Sequence, residues 1–469
     1  MVFLFYFVRS IKCIFRQKLT YQDSILRYLC TNKSKRIRIR MENEIQPSSR
    51  DNPIIMKLDV PIFHSIFTPE LNTLSELFKK YNYPLRIAGG AVRDILMDLK
   101  PTDLDFATTA TPEQMKDLFT KEDIRMINTK GEKHGTITAR INDKENFEIT
   151  TLRIDLVTDG RHAEVQFTTN WKLDANRRDL TINSMFLDLE GNVYDYFYGY
   201  DDLQKRRIVF VGNPISRIQE DYLRILRYFR FYGRITNNPE EFDENTIKAI
   251  KENVSGLEFI SGERIWSEWK KILDGRYGGE LMLKMIECGA ASYIGLPKEP
   301  DVENFKTVYH RALNNSLKLH AITLITSLLK NEEEVMILHK RLKFSAYERN
   351  LALFLIQHRE PKPCEKPLRP YQLLIINSKL KVSDTKEFVC EVLKYRGMVE
   401  FYNEINKWII PKFPISGHMI KSYVPHAKMV GPVLCHLKEI WFDQDFKINF
   451  EDLIKHVELI VHELKESKK

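Results

Sequence analysis

Leu85-Arg86-Ile87-Ala88-Gly89-Gly90-Ala91-Val92-Arg93-Asp94 carries the reading on which the fold turns. A short β-rich run enters two glycines, and a helix begins directly after them. Paired glycines let a backbone approach a ligand closely, and the N–H groups at a helix start attract phosphate. Arg93, about one turn in, can add charge-assisted hydrogen bonds. Taken alone, Gly89-Gly90 is equally a plain tight turn.

The next acidic segment, Asp103-Leu104-Asp105-Phe106, changes that balance. Acid and apolar residues alternate, and in a strand residues i and i+2 share a face. Two carboxylates held side by side repel unless a cation sits between them, and magnesium binds through one or two carboxylates plus substrate phosphates. A solvated pair of surface acids is the alternative, but a phosphate turn just upstream favours the metal. Phe147-Glu148-Ile149-Thr150 alternates in the same way, so Glu148 could supply a third carboxylate or be an exposed strand acid. His134, in a turn before a strand, reads as structural.

Around this segment, from about 60 to 190, short β-rich runs alternate with helical stretches. The runs are Leu85–Ala88, Asp103–Ala107, Gly135–Ile141, Phe147–Leu152 and Ser184–Leu189, which together indicate an α/β domain. Beyond about 215 amphipathic helical periodicity takes over. It breaks at Gly275–Gly279, Gly295–Pro300, Pro361–Pro370 and Pro411–Gly417.

The net charge of +8 does not describe this body. Residues 1–40 hold ten Lys or Arg and one acid, Asp23, so the remaining 429 residues are near −1. Contact with nucleic acid must therefore use local patches. The first 40 residues are Arg-rich, acid-poor and amphipathic, as in a mitochondrial transit peptide; the apolar start Val2 to Val8 also permits a secretory signal. Met41 could start a second, untargeted product, cytoplasmic or nuclear. Residues 41–58 read as a polar linker. No later stretch reaches the ~20 apolar residues of a membrane span. Six scattered cysteines without a CxxC pair suit a reducing compartment rather than zinc or disulfides.

In the helical part, Gln219-Glu220-Asp221-Tyr222-Leu223-Arg224-Ile225-Leu226-Arg227-Tyr228-Phe229-Arg230-Phe231 predicts a helix with Asp221, Arg224, Arg227 and Arg230 along one row. A salt-bridged amphipathic helix is one reading; three arginines with a single acid favour a nucleoside triphosphate. Asp221 only accepts hydrogen bonds and Arg224 only donates them. Cytosine and adenine each offer an amino donor beside a ring-nitrogen acceptor, so one acid–guanidinium pair satisfies both. Uracil and guanine reverse that pattern and would leave buried groups unpaired. Arg227 and Arg230 remain for phosphates or helix docking.

Gly-Gly-x-Val-Arg-Asp followed by Asp-x-Asp resembles the class II branch of the nucleotidyltransferase superfamily, which includes CCA-adding enzymes and bacterial-type poly(A) polymerases. Arg177-Arg178-Asp179-Leu180-Thr181-Ile182-Asn183 is similar to that family's second motif, and Asp195-Tyr-Phe-Tyr-Gly199-Tyr-Asp-Asp202-Leu203 to its third, the hinge. Glu220-Asp221-x-x-Arg224 resembles the protein template of the CCA-adding enzymes. Ser261-Gly-Glu-Arg264 is like the fifth motif, which buttresses the template helix. Phe413-Pro-Ile-Ser-Gly-His and Lys428-Met-Val-Gly-Pro are looser matches to a tail that holds the tRNA elbow, with fewer glycines around Tyr423–Gly431 than the family pattern.

The resemblance implies an α/β nucleotidyltransferase head domain (mixed β-sheet with helices) followed by an all-α neck, body and tail. The boundaries expected are head 59–190, neck 191–260, body 261–360 and tail 361–469. It implies that Asp103 and Asp105 hold Mg²⁺ with Glu148 beside them. Gly89, Gly90 and Arg93 would position phosphates, Arg178 would contact the nucleotide, and Asp221 and Arg224 would select the base. The partners implied are tRNA, CTP and ATP, with no membrane; a monomer and a homodimer both fit. A poly(A) polymerase on the same fold, an inactive RNA-binding scaffold and a small-molecule nucleotidyltransferase are the rival readings. The signature associated with bacterial-type poly(A) polymerases is not apparent.

Overall fold

The computed structural model describes residues 49–469, apart from 128, 159–162, 361–365, 379 and 467–469. The expected transit peptide lies outside the described residues.

The N-terminal half is built on an eight-stranded sheet of order β1-β10-β9-β2-β3-β6-β5-β4. Its strands are β1 (Ile54–Lys57), β2 (Leu85–Ala88), β3 (Asp105–Thr108), β4 (Arg125–Ile127), β5 (Thr136–Ile141), β6 (Glu145–Thr151), β9 (Phe186–Asp188) and β10 (Asn192–Tyr194). A separate hairpin joins β7 (Arg153–Thr158) to β8 (Ala163–Phe167). All neighbours in the large sheet are antiparallel except β3 and β6, which run parallel. A parallel pair needs a crossover, and a helix lies in the connection between these two strands.

The period-2 alternation sorts the two faces. Ile87 and Phe106 pair across β2 and β3 and are buried in the main core, where Phe106 meets Phe147 edge-on with ring centroids 5.8 Å apart. Helices α1 (Pro69–Lys80), α2 (Gly90–Leu96) and α3 (Pro112–Lys121) contribute to the same core through Leu74, Phe78, Val92, Met115 and Phe119. Ala88 and Ala107, one residue on, join Leu152, Phe186 and Ala175 of α4 (Trp171–Asn176) in a smaller cluster. Asp105 shares the face of Ala107, and Glu148 that of Thr150. The small alanines leave that face open as a cavity wall.

Three local expectations are corrected. Asp103 is not on a strand: β3 begins at Asp105, and Asp103 belongs to the loop before it. The stretch read as a linker contributes β1, whose register with β10 pairs Ile54 with Tyr194 and Lys57 with Asn192. The Gln219–Phe231 helix is two helices, α5 (Pro214–Glu220) and α6 (Leu223–Ile235). Asp221 between them is extended, with φ −153° and ψ 105°. Its carboxylate accepts the Leu223 N–H at 3.1 Å, a local side-chain bond of the kind that competes with helix continuation.

Among the described residues no strand follows β10; the remainder is helical and includes α7 (Gly262–Leu273) and α8 (Val430–Asp443). One apolar cluster runs from Phe63 to Ile405, while a second, from Ile376 to Val461, gathers Val433, Leu437 and Trp441 of α8 with Leu453. No helix among the described residues is long and apolar enough to cross a membrane.

Leu437 is fully buried in the second cluster. Leu437→Ala should cost about 2–5 kcal/mol there. Hydrogen exchange should accelerate in residues of that cluster and stay unchanged in β2, β3 and β6.

Candidate active site

The open sheet face and the neck helices enclose a cavity of about 1240 Å³. Parallel pairing makes Asp105 and Glu148 direct partners across β3 and β6, so Glu148 does face the site. Asp103 lines the same cavity from its loop. The Asp105 carboxyl is pushed above its ordinary range, first by burial, then by the charges of Glu148 and Asp103, against the opposing pull of Arg178. Gathered negative charge of this kind is what a divalent cation relieves. Among the described residues no group of three or more His, Cys, Asp or Glu is gathered closely enough to hold a metal by itself. The carboxylate oxygens of Asp103, Asp105 and Glu148 on this cavity are donors of the kind a hard divalent cation takes together with phosphate and water.

At the phosphate turn Gly89 has φ +67°, and a Cβ there would stand 3.0 Å from Arg178 Nη1. Its N–H donates to the Met185 carbonyl at 3.2 Å, so the free amides of the turn begin at Gly90, the first residue of α2. Arg93 lines the cavity with little exposed surface. It is 2% exposed; Nε and Nη2 donate to Asp94 Oδ1 at 3.0 and 2.8 Å, and Nη1 donates to Asn183 Oδ1 at 2.6 Å. These bonds also brace the start of α2 against Asn183. Arg178 donates to Asp174 Oδ2 from Nε at 3.3 Å and Nη2 at 3.0 Å, while Arg177 Nε holds the other oxygen at 2.8 Å.

The neck wall carries Asp221, Arg224, Arg227 and Arg230, all lining the cavity. The row is less short of acids than it looks in the sequence. Arg224 donates to Glu220, to the Arg217 carbonyl and to the Arg177 carbonyl. Arg227 Nε donates to Asp179 Oδ2 at 2.7 Å, and Arg230 Nη1 to Glu268 Oε1 at 3.0 Å. Burial alone would raise the Asp179 carboxyl, but Arg227 and the hydrogen bonds outweigh it and hold it at about 2. Asp221 Oδ2 accepts from Arg264 Nη2 at 2.7 Å. Arg264 can stand there because α7 begins on Gly262, where a Cβ would fall 1.8 Å from the Arg341 carbonyl oxygen. Arg264 lay within a quoted motif, but its partner could not be read from spacing. Arg153, Asp155, Phe231, Arg234 and Lys271 also line the cavity and were not singled out. His134 offers its backbone carbonyl to Arg153, in keeping with a structural place.

A mixed sheet with a glycine turn and grouped carboxylates, roofed by an arginine-bearing helix, defines a nucleotidyl-transferring head and neck. Residues 85–209 match the Poly A polymerase head domain, and residues 241–298 the probable RNA- and SrmB-binding site of polymerase A. The chain is 50% identical over 407 residues to the mitochondrial CCA tRNA nucleotidyltransferase 1 of Mus musculus, covering 86% of this chain and 93% of the relative, with the same figures for Homo sapiens. It belongs to the CCA tRNA nucleotidyltransferase family. The crystal structure of the Bacillus stearothermophilus CCA-adding enzyme in complex with CTP shares the fold, with TM-score 0.67, 22% identity and coverage of 88% of this chain and all of that one.

The raised Asp105 carboxyl gives a stability prediction. A carboxylate whose folded pKa exceeds its unfolded one weakens the fold when ionised. In metal-free protein Asp105→Asn should raise the melting temperature by about 1–3 °C at neutral pH. The gain should shrink as pH falls through the raised pKa toward the usual 3.8, where both states become protonated. Thermal melts at stepped pH measure this; a gain that persisted at acid pH would contradict it.

Proposed function

We propose that this chain completes tRNA 3′ ends with C, C and A from CTP and ATP, without a nucleic-acid template and with release of pyrophosphate. The observation that carries the reading is the presence of Asp221 and Arg224 together on the wall of a cavity that Asp103, Asp105 and Glu148 also line. A carboxylate has about four lone-pair sites and a guanidinium five N–H donors. The contacts these two groups make within the protein leave capacity for the amino group and ring nitrogen of cytosine or adenine. The 50% identity to enzymes named for this activity supports it.

In the reaction the tRNA 3′-hydroxyl attacks the α-phosphate and pyrophosphate departs. Asp103 and Asp105 would hold Mg²⁺, with Glu148 adding charge beside them. When bound, Mg²⁺ lowers the pKa of the attacking hydroxyl and neutralises charge on the triphosphate. The amides after Gly89 and Gly90 receive phosphate, with Arg93 bracing the turn and Arg178 at its mouth. Arg227 and Arg230 face the phosphates, and Asp221, held by Arg264, reads the base with Arg224. The division into head 59–190, neck 191–260, body 261–360 and tail 361–469 belongs to this reading, with tRNA gripped by the tail. The basic first 40 residues and the mitochondrial names of the relatives support delivery to mitochondria.

The test uses a tRNA ending at its discriminator base, Mg²⁺, and CTP and ATP singly and together, read at single-nucleotide resolution. Two additions with CTP and a third, final one with ATP are expected. A long A tail would transfer the case to a poly(A) polymerase, and no addition to an inactive scaffold. Asp105→Ala should lower turnover at least about 10³-fold while tRNA binding, followed by filter retention, stays within about twofold. Arg264→Gln should free Asp221 to swing and raise misincorporation of U and G about tenfold, scored by sequencing of the product ends.

A further inference from the structure

Three guanidinium groups converge on one phenyl ring. The Cζ atoms of Arg230, Arg93 and Arg227 lie 4.3, 4.8 and 5.4 Å from the centroid of Phe231. Arg227, Arg230 and Phe231 belong to α6, whereas Arg93 comes from α2, so the cluster forms where head meets neck. Phe231 is 4% exposed and lines the cavity. Each guanidinium also has a carboxylate partner: Asp94 for Arg93, Asp179 for Arg227 and Glu268 for Arg230. Arg234 shares Asp94 at 2.9 Å, and Lys271, one turn beyond Glu268 on α7, adds a further cation to the lining. Five cations thus stand against three acids.

Like charges so close repel. The electron-rich face of an aromatic ring draws cations toward itself, so the ring and the three acids together hold these guanidinium groups side by side. An excess of positive charge gathered on a cavity wall suits an anion of high charge density. We infer that Phe231 is a positioning residue: its ring orients Arg227 and Arg230, with Arg93 behind them, toward the β- and γ-phosphates of the incoming nucleotide and the pyrophosphate that leaves. The inference rests on the nucleotidyl-transfer reading above. CTP and ATP carry the same triphosphate, so Phe231 should act on both alike and leave base choice to Asp221 and Arg224.

The test compares full-length wild type with Phe231→Leu, Phe231→Met and Phe231→Tyr. Leucine and methionine keep an apolar side chain without the ring face, and tyrosine keeps the face. Phe231→Leu and Phe231→Met should raise KM for CTP and for ATP by a common factor of about ten, with kcat changed less than about threefold. The inhibition constant of inorganic pyrophosphate should rise by the same factor, and misincorporation of U and G should stay at the wild-type level. Phe231→Tyr should restore all values to within about twofold. Melting temperatures identify any variant that does not fold, and the methionine variant, whose unbranched chain adapts to the space of the ring, then decides. Wild-type constants in the ringless variants, equal impairment of the tyrosine variant, or a change confined to one nucleotide would each overturn the inference. A wild type that adds neither C nor A would instead sink the underlying reading.

Discussion

Parallel pairing of β3 with β6 sets Asp105 directly opposite Glu148, and much of the molecule can be understood as the accommodation of that contact. Neighbouring strands lie about 5 Å apart, close enough for two like charges to repel. The fold tolerates this because the opposite sides of the same strands bury Phe106, Phe147 and Ile149 in the main core. Register cannot slip by one residue to separate the acids without turning those aromatic rings into the cavity. Apolar packing on one face thus fixes which carboxylates stand together on the other.

The neck answers the sheet with the opposite charge, and here the ion pairs join distant parts of the chain. Arg227 reaches Asp179, Arg234 reaches Asp94, and Arg224 reaches the Arg177 carbonyl, each from α6 to the head. These contacts are only partly exposed, so salt screens them less than surface pairs. They hold the wall of arginines against the wall of acids at a separation that leaves a cavity rather than a closed interface. Arg264 and Glu268 of α7 extend the pattern from the other side, fixing Asp221 and Arg230.

Much of this was legible from residue order. The strand, glycine pair and helix around Gly89, the face shared by Asp105 and Glu148, and the passage from mixed sheet to helices follow from local periodicity, which a single sequence records. Partners distant in sequence are not recorded. The acids that meet Arg227 and Arg230 sit 48 and 38 residues from them, so the row looked unbalanced when it was not. The break at Asp221 also escaped, because the helical spacing of Arg224, Arg227 and Arg230 continues across it in register. β1, Ile54-Ile55-Met56-Lys57, shows no alternation and depends on its neighbour β10, whereas the β7–β8 hairpin does alternate, as Arg153-Ile154-Asp155-Leu156 and Ala163-Glu164-Val165-Gln166-Phe167, and was legible. The burial of Arg93 and its bonds to Asp94 and Asn183 were likewise beyond what residue order records.

The apolar cluster that runs unbroken from Phe63 to Ile405 bears on how this chain could be exchanged with relatives. Head, neck and body are convenient names, yet they share one interior and cannot be treated as interchangeable cassettes. A chimaera cut after β10 would leave each fragment presenting a raw apolar face, an aggregation hazard in either direction. The two interiors interleave along the sequence, since Ile376 already belongs to the second whereas Phe388 to Ile405 belong to the first. A crossover near Ile415 would therefore have to carry the segment around Ile376 along with the C-terminal helices it packs against.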